Sequence, residues 1–382
     1  MPRVLLVTND FPPRIGGIQS YLRDFLATLD PQDICVFASV QDAEAAAAHD
    51  RGYPIEVIRW PRAVMLPTPA TARRMQEIIR EKSIETVWFG AAAPLALLAP
   101  AARRAGARRI IATTHGHEVG WSMLPVARQV LRRIGEEADV VTYISDYTLR
   151  RVRGAFGTHP RFVHLPSGVD TELFHPITEA QRASIRVEHG FGRDQLLVTC
   201  VSRLVPRKGQ DQLIRVWPEV LQRFPTARLL IIGQGRYESA LRRLVDRHGV
   251  GGSVELTGSL PFEELRGLLA ASDVAAMPAR TRGGGLDVEG LGIVYLEAQA
   301  SGIPVVAGDS GGAPETVTPE TGIVVPGKNR GALAEALLAL LGDAERRHAM
   351  GRAGRDYVRS AWTWDIMGAR LRSLLEAGPA ER

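Results

Sequence analysis

The feature that most restricts what this chain can fold into is an alternation: short apolar, β-branched runs, most of them separated by segments of helix length. It begins with VLLVT (Val4 to Thr8), a helical pattern over Gly17 to Leu29, and ICVFASV (Ile34 to Val40). Further strand candidates lie at Glu56 to Trp60, Thr86 to Phe89, Arg109 to Thr114, Val140 to Ser145 and Phe162 to Leu165. Strand and helix in alternation imply a parallel sheet covered on both faces. The polar, aperiodic SGVDTELFHP (Ser167 to Pro176) breaks the pattern, which then restarts. The second series is Leu196 to Val201, Ala227 to Ile232, Val254 to Thr257, Val274 to Met277, Pro304 to Ala307 and Gly322 to Val325. The expectation is an α/β chain of two doubly wound, Rossmann-like units, 1–170 and 171–361, whose carboxyl-end faces meet across a cleft. A last helical pattern, Trp362 to Ala377, has no later element to pair with. It is expected to cross the cleft and pack on the first unit, adding 362–382 to it. The Ala-rich Gln41 to Asp50 and the glycine run Arg282 to Leu286 read as loops or frayed ends, and no long internal repeat is visible.

Composition narrows the class. A length of 382 residues with 45% hydrophobic residues is enough for two sizeable cores. The only two cysteines, Cys35 and Cys200, sit inside apolar runs and read as buried reduced thiols, which fits a reducing, cytoplasmic compartment. The opening MPRVLLVTND turns polar after the apolar run Val4 to Val7, too short for a signal sequence. The longest uncharged stretch, Thr86 to Ala102, contains Pro94 and Pro100 and reads as a strand, a turn and a short helix rather than a membrane span. A net charge of +5 is too small to imply nucleic acid as a partner.

Three fragments carry chemistry. In TNDFPPRIGGIQSYL (Thr8 to Leu22), Gly16 and Gly17 open a helix where backbone N–H groups can approach an anion; a glycine turn needed only for packing is the equal alternative. It is not G-x-G-x-x-G, which weakens a nicotinamide reading. In SRLVPRKGQD, Arg203 and Lys208 stand at the carboxyl end of a strand with Gly209 opening the next helix. A planar fork and a point charge together suit a diphosphate, against the alternative of a solvated basic loop. In RTRGGGLDVEGLGIVYLEAQASGIPVV, Glu289 and Glu297 flank a glycine-rich helix start. The two carboxylates can accept hydrogen bonds from two parts of one ligand, and the free amides of Gly292, Ile293 and Val294 can meet a phosphate or hydroxyl. Taken singly, Glu289 also reads as a helix cap. His115, His117 and Glu118 are spaced tightly enough to suggest a metal, but no fourth ligand is evident.

Together, Gly-Gly after the first strand, S-R-L-x-x-x-K-G, and E-G-L-G-x-x-x-x-E followed by A-x-A-S-G-I-P-V-V resemble the retaining GT-B glycosyltransferases of family 4, over essentially the whole chain. Within that family, NDFPPRIGGIQSYLRDF (Asn9 to Phe25) and TTHGHEVGW (Thr113 to Trp121) resemble the actinobacterial branch that carries mannose from GDP-mannose to phosphatidylinositol monomannoside in an α-1,6 linkage. The resemblance implies a hexosyltransferase in which Gly16 and Gly17 lie against the donor phosphates and Arg203 and Lys208 neutralise the leaving diphosphate. It places the ribose on Glu297, and the transferred sugar on Glu289 and the Gly292, Ile293 and Val294 amides. His115 would contact that sugar near its reacting carbon, and Asp10 would line the acceptor side. The implied chemistry is transfer with retention, the leaving phosphate oxygen taking the acceptor proton. No cofactor is required, no metal is proposed, and magnesium stimulation is left open.

The expected partners are a nucleotide sugar, a phosphatidylinositol mannoside lipid and an anionic membrane surface, on the inner face of the plasma membrane. Ten basic residues between Arg59 and Arg109 face only three acidic ones. In Ala70 to Lys82, Met75, Ile78 and Ile79 fall on one side and Arg73, Arg74 and Arg80 on others, the pattern of an interfacial helix, with Lys82 at its end. The alternative is a core helix with a solvated basic face. Rival functions are a family 4 transferase using a UDP sugar or another acceptor, a nucleotide-sugar epimerase or NAD-dependent oxidoreductase, and a non-catalytic phosphoinositide-binding module.

Overall fold

The structure, a computed structural model, describes residues 3–14 and 16–376. The expected 362–382 segment therefore reaches beyond the described residues at 377–382. Contacts divide the chain into two compact units: residues up to Gly168 together with those from Trp364, and Val169–Thr363.

The first unit is built on seven parallel strands: β1 (Val4–Thr8), β2 (Ile34–Ser39), β3 (Glu56–Trp60), β4 (Thr86–Phe89), β5 (Arg109–Thr113), β6 (Val140–Tyr143) and β7 (Arg161–His164). Their order is β3-β2-β1-β4-β5-β6-β7, with Leu5 paired to Cys35 on one side and Val87 on the other. Strands β1, β2, β4 and β5 are buried at every position, whereas the edge strands β3 and β7 are only partly covered. That is why the central strands read as continuous apolar runs. The order reverses between β1 and β4, so the loops leaving these two strands diverge and open a crevice at their carboxyl ends.

The second unit has six parallel strands: β8 (Leu197–Val201), β9 (Arg228–Ile232), β10 (Val254–Gly258), β11 (Val274–Met277), β12 (Val305–Gly308) and β13 (Gly322–Val325). Their order is β10-β9-β8-β11-β12-β13, and here the reversal falls between β8 and β11. The final helix, Trp364–Glu376, packs in the first unit against the helix Gly17–Leu26. Trp364 meets Phe25 edge-on at 5.1 Å, and Arg372 Nη1 donates to the Thr28 carbonyl at 2.6 Å.

Two expectations need correction, while the glycine run Arg282 to Leu286 stays a loop around the 3₁₀ turn Gly283–Gly285. Gln41 to Asp50 is not a loop: Ala43–Arg51 is a helix, and the Asp42 side chain caps it by accepting the Ala45 N–H at 3.0 Å. The helix Pro69–Glu81 is a core element, because Met75, Ile78 and Ile79 are at most 1% exposed and pack with Leu5, Val7, Phe37 and Val87. Its apolar side is consumed by the sheet and has nothing left to insert into lipid. Much of the basic surplus is also paired: Arg59 with Asp50, Arg74 with Glu77, Lys82 with Glu56, Arg103 with Asp139 and Arg108 with Glu85. Among the described residues no helix is long and apolar enough to cross a membrane. Cys35 and Cys200 are free and buried, and burial raises their thiol pKa values to about 11 and about 12.

Candidate active site

In each unit the residues singled out above gather at the switch point of the sheet. In the first, Asn9 and Asp10 follow β1. The Asn9 side chain donates to the Met65 carbonyl at 2.9 Å and accepts the Met65 N–H at 2.6 Å, tying this loop to the one after β3. Asp10 accepts from Gln19 Nε2 at 3.1 Å, and burial raises its pKa against the opposing pull of His117 and Arg14. Gly16 is extended, with φ 179°, and Gly17 is the first residue of its helix.

Across the switch point, β5 delivers His115. Its Nε2 lies 2.7 Å from the Gly90 carbonyl, just past β4, and the ring meets Tyr21 edge-on at 4.9 Å. A carbonyl oxygen only accepts, so Nε2 carries the proton and Nδ1 presents a lone pair. Burial lowers the His115 pKa from 6.5 to about 4, which keeps the ring neutral at pH 7. Glu118 has no exposed surface; its Oε2 accepts the N–H groups of His115 at 3.0 Å and Gly116 at 3.1 Å, and its Oε1 lies 3.2 Å from His117. Burial raises the Glu118 pKa, opposed by His117 and these amides. Glu118 thus fixes the backbone that carries His115. Among the described residues no group of three or more His, Cys, Asp or Glu side chains is arranged to hold a metal ion.

In the second unit, β8 runs into Ser202 and Arg203. Gln210 Nε2 bridges Ser202 Oγ at 2.8 Å and the Arg203 carbonyl at 2.9 Å, while the Arg203 side chain faces solvent. Lys208 ends the turn Pro206–Lys208, and Gly209 follows at φ 80°. A Cβ at Gly209 would collide with the Pro278 carbonyl, so glycine is required where this turn abuts the end of β11. Folding brings Lys208 to Glu289: Nζ and Oε2 are 2.5 Å apart, with the side chains 12% and 10% exposed. The Glu289 N–H donates to Ser310 Oγ at 3.1 Å, and its carbonyl accepts from Gly312 at 3.0 Å.

The helix-cap reading of Glu289 fails, because the N-cap of Ile293–Ala300 is Gly292, at φ 87°. A side chain at Gly292 would meet the Tyr295 ring at 2.5 Å. Ile293 and Val294 begin this helix, and Glu297 lies one turn further along. Burial raises the Glu297 pKa from 4.5 to about 7. Sequence reasoning missed the supports beneath these groups. Asp211 and Arg280 form a buried two-oxygen ion pair, at 2.8 and 3.1 Å, behind the Lys208 turn, and the Arg280 N–H donates to the Arg207 carbonyl at 2.8 Å. Nothing local marks this pair, since its members are far apart in the chain.

The family described as Glycosyltransferase Family 4 matches residues 15–173, and Glycosyl transferases group 1 matches residues 181–357. The chain is 61% identical, over 99% of its own length and 98% of the other, to a Corynebacterium glutamicum GDP-mannose-dependent monoacylated alpha-(1-6)-phosphatidylinositol monomannoside mannosyltransferase. It is 55% identical, over 97% of this chain and 98% of the other, to a Mycolicibacterium smegmatis GDP-mannose-dependent alpha-(1-6)-phosphatidylinositol monomannoside mannosyltransferase. Among solved structures, Anabaena HepE in complex with UDP superposes with a TM-score of 0.80 at 20% identity, covering 98% of this chain and 99% of that one. That likeness shows a shared fold, the GT-B architecture.

Proposed function

Because the chain belongs to the family 4 glycosyltransferases, we propose that it is a retaining mannosyltransferase moving mannose from GDP-mannose to a phosphatidylinositol monomannoside, in α-1,6 linkage. The observation that carries the chemistry is the Lys208–Glu289 contact at the β8/β11 switch point, beside solvent-facing Arg203. The choice of donor and acceptor rests on the 61% full-length identity to an enzyme named for that reaction.

In this reading the second unit binds the donor. Its diphosphate sits against Arg203 and Lys208 and the amides of Gly292, Ile293 and Val294. Glu297 accepts from the ribose hydroxyls and Glu289 from the sugar. Lys208 then answers to two anions, Glu289 and the diphosphate, and its attraction to the diphosphate grows as the bond to C1 breaks. The first unit contributes neutral His115, whose Nδ1 lone pair accepts from a sugar hydroxyl, and Asp10 on the acceptor side. The C1–phosphate bond breaks, the acceptor oxygen bonds to C1 on the same face, and the departing phosphate oxygen takes the acceptor's proton. The two cations, Lys208 held by Glu289 and solvent-facing Arg203, supply the charge that a divalent metal supplies elsewhere, so turnover is expected to survive chelation.

A lipid acceptor requires a membrane, and peripheral docking at its cytoplasmic face is part of the proposal. Exposed Arg62, Val64 and Leu66 after β3, with Arg73 and Arg80 on the following helix, support it. Arg74 and Lys82 contribute less, being paired. The test incubates the protein with labelled GDP-mannose or UDP-glucose and phosphatidylinositol monomannoside, then measures label in the organic phase. Label only from GDP-mannose supports the reading; label only from UDP-glucose overturns the donor assignment, and no label from either overturns the transfer. Flotation with anionic and with neutral vesicles separately tests docking, which equal recruitment would exclude.

A further inference from the structure

The second unit carries another charged cavity at the opposite edge of its sheet. Parallel strands β8 and β11 start at Leu197 and Val274, so Gln195, Leu196 and Asp273 lie at their amino ends. The Arg203, Lys208 and Glu289 cluster lies at the carboxyl ends, roughly 16 Å away along five residues of strand. A cavity of about 670 Å³ opens at this amino edge, within the range that holds small ligands.

Three guanidinium groups converge there on one carboxylate. Asp273 Oδ1 accepts from Arg182 Nη2 at 2.7 Å and has Arg347 Nη2 at 3.8 Å; its Oδ2 accepts from Arg186 Nη2 and the Leu197 N–H, both at 2.7 Å. Arg186 is consumed by structure, since it also donates to the carbonyls of Ala271, Arg193 and Gln195. Arg182 and Arg347 are not. Beyond Asp273, Arg182 has among the described residues only Glu179 at 3.9 Å, a side chain that is 83% exposed, while Arg347 gives Nη1 to the carbonyls of Leu340 and Leu341.

One buried carboxylate thus offsets one of three cations. Desolvation lowers the Arg347 pKa, Asp273 and the exposed Asp343 oppose that, and repulsion from Arg182 and Arg186 adds to it. Exposed Arg193 and His348 line the same space, against exposed Asp194. The first turn of the helix Glu179–Glu188 also borders it, through Glu179 and Ala180, and adds the positive end of a helix dipole.

We propose that this cavity is a second ligand site, for a small phosphate-bearing anion that the surplus fork of Arg182 and Arg347 holds. The site is separate from the donor site and does not depend on the glycosyl transfer assigned above. An anion here would tie the helix Glu179–Glu188, the starts of β8 and β11, and the helix Ala344–Ala361 together, stabilising the unit from its far edge.

The probe is inorganic pyrophosphate, titrated calorimetrically at low salt into the full chain carrying Arg203→Ala and Lys208→Ala, which removes the donor-site cations. One binding event is expected to survive. Adding Ala180→Glu places a carboxylate in the cavity at a helix position where acids are favoured, so the fold is kept. It should weaken pyrophosphate at least tenfold with an unchanged melting temperature in the absence of ligand. Arg193→Ala, at an exposed side chain, should weaken binding several-fold. In an otherwise unaltered chain, Ala180→Glu should leave mannosyl transfer as it was. No heat in the double variant, or equal affinity with and without Ala180→Glu, overturns the proposal. So does a result in which Ala180→Glu abolishes recruitment to phosphatidylinositol vesicles while pyrophosphate gives no heat, because the site then reads a lipid headgroup.

Discussion

The two units solve one problem in opposite ways. Both place polar groups at the reversal point of a parallel sheet, where burial penalises charge. In the first unit burial pushes the groups toward neutrality: His115 is lowered to about 4, and Asp10 and Glu118 are raised. In the second, oppositely charged side chains are brought together in buried ion pairs, Lys208 with Glu289 and Arg280 with Asp211, and only Glu297 of its site residues is pushed toward neutrality, to about 7. The difference suits the proposed division of labour. A neutral surface can accept hydrogen bonds from sugar hydroxyls without competing for a diphosphate, whereas the leaving group demands cations that are already present and fixed.

The largest effect on turnover should come from removing a cation. Lys208→Ala should lower kcat by about 10²- to 10³-fold, the usual cost of losing one charge-stabilising donor, in a radiolabel transfer assay. A variant with near wild-type turnover would erase the contrast. Next, Asp211→Ala strands Arg280 in the interior and should cost about 3–5 kcal/mol in a urea melt, because an unpaired buried charge is the expensive outcome. The matching change in the first unit should be milder. Glu118→Ala leaves two N–H groups unpaired and should cost about 1–3 kcal/mol, while Glu118→Gln, which keeps an accepting oxygen, recovers most of it. Equal losses for Ala and Gln would mean that the Glu118 charge matters after all.

The smallest and sharpest test is pH. His115 has a folded pKa of about 4 against an ordinary 6.5, so the unfolded chain takes up the proton first. Its contribution to stability falls as pH drops from 6.5 toward 4. Glu297 is at about 7 against an ordinary 4.5, so the unfolded chain loses the proton first, and its contribution falls as pH rises from 4.5 toward 7. Melting curves of His115→Gln and Glu297→Gln, each subtracted from the parent, should slope in opposite directions over this range.

Most strands were legible because parallel strands buried on both faces need apolar runs, and the runs ended within a residue or two of β1 through β13. The helix Ala43–Arg51 was legible too, through Asp42 and four consecutive alanines, yet read as a loop because its apolar face is small; only Ala46 is buried. The orientation of Met75, Ile78 and Ile79 was not legible, since one amphipathic stripe serves a sheet or a lipid equally well. At the site, short spacings singled out Lys208 and Glu289 separately, but their contact joins residues 81 positions apart and exists only through the crossing from β8 to β11. Glu118 drew notice for the wrong reason. A carboxylate next to one histidine and three residues from another looks like a ligand until the backbone N–H groups it serves are seen.

The helix Trp364–Glu376 has one further consequence. It completes the first unit, through Trp364 on Phe25 and Arg372 on Thr28, although it is made after the whole of the second. During synthesis the Val169–Thr363 unit has all of its residues while the earlier one still lacks its closing element. The first unit is therefore closed only after the second has been made.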